Sequence, residues 1–110
     1  MRPEVCDGVI TVPIVTLDDA FAGRRIDVIK IDVEGFEQQV LQGAQTILTE
    51  ERRRPRAILV EVHPFAWTDA GTTSASFLGL LDEMGFRVED MEGAAVSSIT
   101  EYGHVIALRK

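Results

Sequence analysis

Residues 26–37, IDVIKIDVEGFE, decide the fold of this 110-residue chain, because an apolar, β-branched run carries one lysine and runs out into carboxylates. Val28 to Val33 have the pattern of a central strand buried on both faces, apart from Lys30 and Asp32. Gly35 then permits a sharp turn into a helix. A charge taken out of water destabilises unless it is paired, by roughly 3–5 kcal/mol when one partner of a buried pair is lost. Lys30, Asp32, Glu34 and Glu37 therefore call for a role other than stability.

Downstream of that turn, Phe36, Val40, Leu41, Ala44, Ile47 and Leu48 recur at helical spacing, which predicts one amphipathic helix from residue 36 to about 51 that Pro55 prevents from continuing. Residues 56–67, RAILVEVHPFAW, then repeat the first pattern: a strand over 57–62 that finishes in Glu61, His63, Pro64, Phe65 and Trp67. Strand, helix and strand make a right-handed crossover. In open parallel sheets ligands sit beyond the carboxyl ends of the strands, where both runs put their reactive residues. Upstream, residues 9–16 read as an edge or irregular strand because Pro13 cannot donate to a ladder, and Leu17 to Ala22 as a short helix with Asp18 or Asp19 near its start. Farther on, Thr73 or Ser74 caps a helix bearing Phe77, Leu78, Leu80, Leu81 and Met84, followed by a strand over 86–89 and a last, antiparallel strand over 104–108. The expectation is a single α/β domain, mostly parallel, with helices on both faces of the sheet.

Composition narrows the function. A formal net charge of −7 and a pI near 4.7 oppose the positive field that nucleic-acid binders need. No apolar run approaches the ~18 residues of a membrane helix, and residues 1–10 lack the apolar centre of an export signal. The single cysteine, Cys6, excludes an internal disulfide and agrees with a reducing cytoplasm. Arg52, Arg53, Arg54 and Arg56 follow a predicted helix and read as its solvated terminus.

Strand side chains alternate faces, so Lys30, Asp32 and Glu34 share one parity and Glu61 and His63 another that can meet it. Lys30 and Glu61 form a candidate buried ion pair. Asp32, Glu34 and His63 lie nearer the ligand edge and are the candidate catalytic groups, His63 being the best suited to take a proton from a hydroxyl. Spacing alone slightly favours a histidine that only hydrogen-bonds at a strand end. Glu61, Phe65 and Trp67 are candidates for contacting a substrate, although packing would explain the two aromatics as well. Asp32, Glu34, Glu37 and His63 have donor types that suit magnesium or manganese, but Glu37 is explained by the first-turn preference for acids, and no metal is assigned.

The three blocks VPIVTLDDAF, DVIKIDVEGFEQQVLQGA and ILVEVHP, in this order over residues 12–64, resemble the FkbM-type S-adenosylmethionine-dependent methyltransferases, mostly O-methyltransferases. The resemblance implies a Rossmann-like seven-stranded sheet in which residues 28–33 are the fourth strand, 57–62 the fifth, and 86–110 the last two. It implies S-adenosylmethionine as cofactor and a small-molecule or sugar hydroxyl as acceptor. The first three strands and the glycine-rich cofactor loop of such enzymes have no counterpart in this sequence, which reads as a carboxy-terminal half that binds the cofactor weakly or not at all by itself. Its fourth strand would then be an exposed edge, open to a second copy or to a partner chain. A non-catalytic module that docks through that edge is the alternative function. A cyclic-dinucleotide phosphodiesterase barrel, suggested by IKID, needs about 250 residues and is disfavoured.

Overall fold

The computed structural model describes residues 10–110; Cys6 and Val9 lie outside them. The apolar run after Asp27 forms strand β1 (Val28–Ile31), and its repeat forms β2 (Ala57–Val62). The two pair in parallel, with Val28 opposite Ala57 and Ile31 opposite Val60. Between them lie α2 (Glu37–Gln42) and α3 (Gln45–Thr49), preceded in the chain by α1 (Leu17–Ala20). The single helix expected over residues 36–51 is broken at Gly43 and Ala44. There the chain makes way for α1: the Asp18 N–H donates to the Gly43 carbonyl at 2.9 Å, and a side chain at Gly43 would meet Thr16 Cβ at 3.2 Å.

After β2 a 3-10 turn (Pro64–Ala66) leads into α4 (Trp67–Ala70) and then α5 (Ser74–Glu83). Thr73 caps α5 as expected, its hydroxyl accepting from the Ser76 N–H at 2.9 Å while the Ser76 hydroxyl accepts from the Thr73 N–H. Strands β3 (Phe86–Asp90) and β4 (Gly103–Arg109) complete a four-stranded sheet of order β1-β2-β4-β3. The last strand enters between β2 and β3 and is antiparallel to both. The sheet is therefore mixed, with one parallel pair, and not mostly parallel as the sequence suggests. The described residues form an open mixed sheet, not the run of parallel strands that the barrel reading needs.

Ile31, Ile58, Val60, Val62, Phe86, Val105 and Ala107 share one core with Leu41 and Leu48 of the first crossover and Trp67, Phe77 and Leu81 of the second. These strand residues have a single parity. The opposite face carries Lys30, Leu59, Glu61, His104 and Ile106, all exposed or half-buried. Among the described residues the helices thus cover one face of the sheet rather than both. The reason is topological: each crossover moves in the same direction along the sheet, and equal handedness then puts both on one side. Strand β1 stands at the edge, as expected, but residues 10–16 form no strand beside it.

The arginine cluster is not simply solvated. The Arg54 guanidinium lies 4.9 Å from the Phe86 ring centroid and donates to the carbonyls of Leu48, Met84 and Gly85, tying α3 to the turn before β3. Asp18 ties the other side. Its carboxylate accepts from the free N–H groups of Thr46 and Ile47, at 2.9 and 3.0 Å, and so caps α3 from a distant segment. Burial pushes its carboxyl up, but these two amides and the charge of Arg53 outweigh that and hold it below the ordinary 3.8. Loss of this cap in Asp18→Ala is expected to destabilise by about 1 kcal/mol at neutral pH. Because the folded value is depressed, that contribution is complete above the ordinary carboxylate range and disappears as acid takes the pH through the folded value. Urea melts of both proteins at neutral and acid pH check this: the gap between them closes in acid.

Candidate active site

Strand β1 ends at Ile31, so Asp32 stands just past its carboxyl end, and His63 occupies the same place after β2. The chain turns back at both points. Gly35, at φ 110°, reverses the first turn and lets it press against the second, where an added Cβ would lie 2.8 Å from Ala66 Cβ. This contact brings the two strand ends, and their ionisable groups, together.

At the centre is Glu37, the first residue of α2, with no exposed surface. Its Oε1 accepts from the Trp67 indole N–H at 2.6 Å, and its Oε2 accepts from the Gly35 N–H at 3.0 Å and from His63 Nδ1 at 2.7 Å. Burial pushes the Glu37 carboxyl up, but these three donors hold it below the ordinary carboxylate range. An ionised Glu37 can only accept, so the proton sits on Nδ1 and the lone pair of His63 is at Nε2 when the ring is neutral.

That Nε2 faces a second carboxylate group. Glu61 Oε2 lies 3.1 Å away and Asp32 Oδ1 3.8 Å away, while the other Glu61 oxygen meets His104 Nε2 at 3.1 Å. His63 itself is only 4% exposed, whereas half of the Asp32 side chain is open to water. Burial lowers the affinity of His63 for a proton, and the hydrogen bonds and charges of Glu37 and Glu61 more than restore it, so its pKa is raised. Burial raises Glu61, and its contacts with Asp32, His63 and His104 bring it below the usual range. Tyr102 covers the imidazole, ring centroids 5.5 Å apart, and its phenol is pushed up by burial and by Glu61.

Of the residues singled out from the sequence, Asp32, Glu61 and His63 converge. Glu34 sits in the turn at φ 26°, exposed and outside this cluster. Phe65 is 74% exposed and its ring stands roughly perpendicular to that of His63, and Trp67 is buried with its N–H spent on Glu37. Lys30 lies opposite Leu59 on the open face, and Glu61 bonds the two histidines instead of the lysine. The central place of Glu37 and the arrival of His104 and Tyr102 from the far end of the chain are not foreseen. The sequence marks Glu37 as a first-turn acid and as one of four groups with metal-donor chemistry, neither of which predicts its burial against His63.

Beside the cluster, a groove of about 760 Å³ runs along the outer side of β1, where no described residue forms a strand, lined by Ile14, Leu17, Ile29, Ile31, Asp32 and Phe36 among others. Its volume is in the range of small-molecule sites. Asp32 is the residue common to groove and cluster.

No curated protein matches the sequence, and no solved structure does. The family model described as the methyltransferase FkbM domain matches residues 5–88. Those residues hold β1, β2, the crossover between them and every group around His63 except Tyr102 and His104. The chain thus belongs to the FkbM methyltransferase family.

Proposed function

We propose that this chain carries the acceptor side of an S-adenosylmethionine-dependent O-methyltransferase, with Asp32, Glu61 and His63 receiving a small-molecule or sugar hydroxyl. The observation that carries the reading is the buried Glu37–His63 pair, which fixes Nδ1–H and turns Nε2 toward Asp32 at the mouth of the groove. S-adenosylmethionine would supply an electrophilic methyl group. The groove suits its adenosine by size and apolarity, but the described residues offer no row of free backbone amides for its carboxylate, so they match only part of the cofactor.

The chain's own contribution is positioning and proton removal. Asp32 accepts a hydrogen bond from the acceptor hydroxyl and orients it, and His63 Nε2 takes the proton as the oxygen becomes nucleophilic. Glu37 stays ionised behind the ring and stabilises the imidazolium. Holding the reacting oxygen in place accounts for roughly 7–11 kcal/mol of a barrier in well-oriented systems. No covalent enzyme intermediate is required.

The test is transfer of label from methyl-labelled S-adenosylmethionine to a panel of hydroxyl acceptors, run with this chain and with whatever its reading frame encodes before Met1. Label in an acceptor, reduced about 100-fold or more in His63→Gln, supports the reading. No transfer from either protein, or full transfer by His63→Gln, overturns it. A second reading is favoured by the edge position of β1, whose outer side pairs with no strand among the described residues: a module that extends its sheet through another chain. It predicts dimers or a tightly bound partner strand, and no labelled acceptor.

A further inference from the structure

We propose that Asp32, Glu61 and His63 form a binding site for one divalent transition-metal ion, with Glu37 as the outer carboxylate that orients the histidine. The ligand atoms lie within 4.8 Å of one another, and the two distances from His63 Nε2 are 3.1 Å to Glu61 and 3.8 Å to Asp32. Ligands placed about 2.2 Å from a shared ion are separated by about 3.1 Å at right angles and about 3.6 Å at the tetrahedral angle. The two distances from His63 Nε2 are therefore close to those of neighbours around one ion, and the Asp32 and Glu61 oxygens lie within 4.8 Å of each other.

The support behind the histidine is an independent observation. A metal-bound imidazole nearly always donates its other ring N–H to a carboxylate or carbonyl, which fixes the tautomer and strengthens the donor nitrogen. Glu37 does this at 2.7 Å, and is itself held by Trp67 and the Gly35 N–H. The imidazole is buried, so its aim does not depend on a mobile side chain. Asp32, by contrast, is half open to water and leaves a path for the ion and for an oxygen ligand from solvent or acceptor.

The charges favour the same outcome. Asp32, Glu37 and Glu61 bring three carboxylates around one imidazole, and Lys30, which shares a face with Glu61 but stands opposite Leu59, forms no ion pair with any of them. His104 reaches only the far oxygen of Glu61. One nitrogen with two carboxylate oxygens suits manganese or zinc better than the all-oxygen sites of magnesium and calcium. An ion and a proton exclude each other at Nε2. In the loaded protein His63 is a ligand and no longer the base, so an acceptor hydroxyl on the ion, acidified as metal-bound water is, would give its proton to solvent on the open side of Asp32.

Manganese is the probe. Mn²⁺ titrated into the full chain is followed by the electron paramagnetic resonance of the free ion and by the fluorescence of Trp67, the chain's single tryptophan, whose N–H is on Glu37. We expect one ion per chain, a fluorescence change at the same stoichiometry, and nitrogen coupling to the bound ion in electron spin echo spectra. Asp32→Asn, at a half-exposed position that tolerates the change, should weaken binding about tenfold or more, and Zn²⁺ should displace Mn²⁺. His63→Gln should abolish the nitrogen coupling. Absence of stoichiometric binding, affinity unchanged in Asp32→Asn, or bound Mn²⁺ without nitrogen coupling would each overturn the proposal. These readouts need no methyl transfer, so they stand or fall apart from the activity assay.

Discussion

Glu37→Ala is expected to lower the free energy of unfolding by about 3–5 kcal/mol, the range seen when a buried charged partner is removed. The substitution strands three donors at once: the indole N–H of Trp67, the Gly35 N–H and His63 Nδ1. Each buried donor left without a partner costs about 1–3 kcal/mol, and water cannot reach them without opening the contact between the two strand ends. A cavity the size of the lost carboxylate adds to this. Urea denaturation followed by circular dichroism gives the number. A loss under about 1 kcal/mol, the middle of the range for arbitrary substitutions, would mean that Glu37 is not the tie between the two turns. Glu37→Gln separates packing from charge: it fills the volume and still accepts from Trp67, but its amide cannot serve both the Gly35 N–H and an imidazole N–H. It should be the milder change in stability while still disturbing the aim of His63.

The second large effect is expected at Gly35→Ala, about 3 kcal/mol of destabilisation, from two sources that add. The residue sits at φ 110°, where an L side chain is strained by about 1–3 kcal/mol. Its new methyl would also lie 2.8 Å from Ala66 Cβ and 3.3 Å from the Ala66 carbonyl, and forcing material into a filled contact costs about 1–3 kcal/mol more. Gly71→Ala is the control. That residue is at φ 75° with open space around the missing Cβ, so it should show the backbone cost alone, about 1–2 kcal/mol. Equal losses at the two glycines, measured by thermal or urea unfolding, would show that the turn-to-turn contact contributes nothing. Because the same contact sets Asp32 against His63, Gly35→Ala should also weaken Mn²⁺ binding, and Gly71→Ala should not.

Much of the fold was legible in local patterns. The β-branched runs gave β1 and β2 and their crossover, though β1 closes two residues earlier than the apolar run, at Ile31, because Gly35 must turn the chain. Thr73 marked the start of α5, and Phe86 and His104 lie at or next to the starts of the last two strands. The break at Gly43 was not legible, since the six apolar residues between 36 and 48 keep helical spacing across it. The cause lies in α1, which a helical period cannot report. The coverage of a single face was hidden for a similar reason: β1 and β2 are apolar at nearly every position, so periodicity alone does not tell an open face from a covered one.

For the site, the sequence by itself determined which chemistry was present and at which end of the sheet it would gather, because strand parity and the direction of a crossover are local or topological properties. It also carried the family blocks. Only the tertiary structure decided the partners. Glu37 and His63 are 26 residues apart, and Glu61 and His104 are 43 apart, so their meeting depends on the β1–β2 and β2–β4 registers and on one close turn-to-turn contact. A shift of a single residue in either register would turn these side chains to opposite faces. That sensitivity is why a first-turn acid became the buried anchor of the histidine; the lysine expected to pair with Glu61 shares its face but stands opposite Leu59, and the two histidines take the Glu61 oxygens.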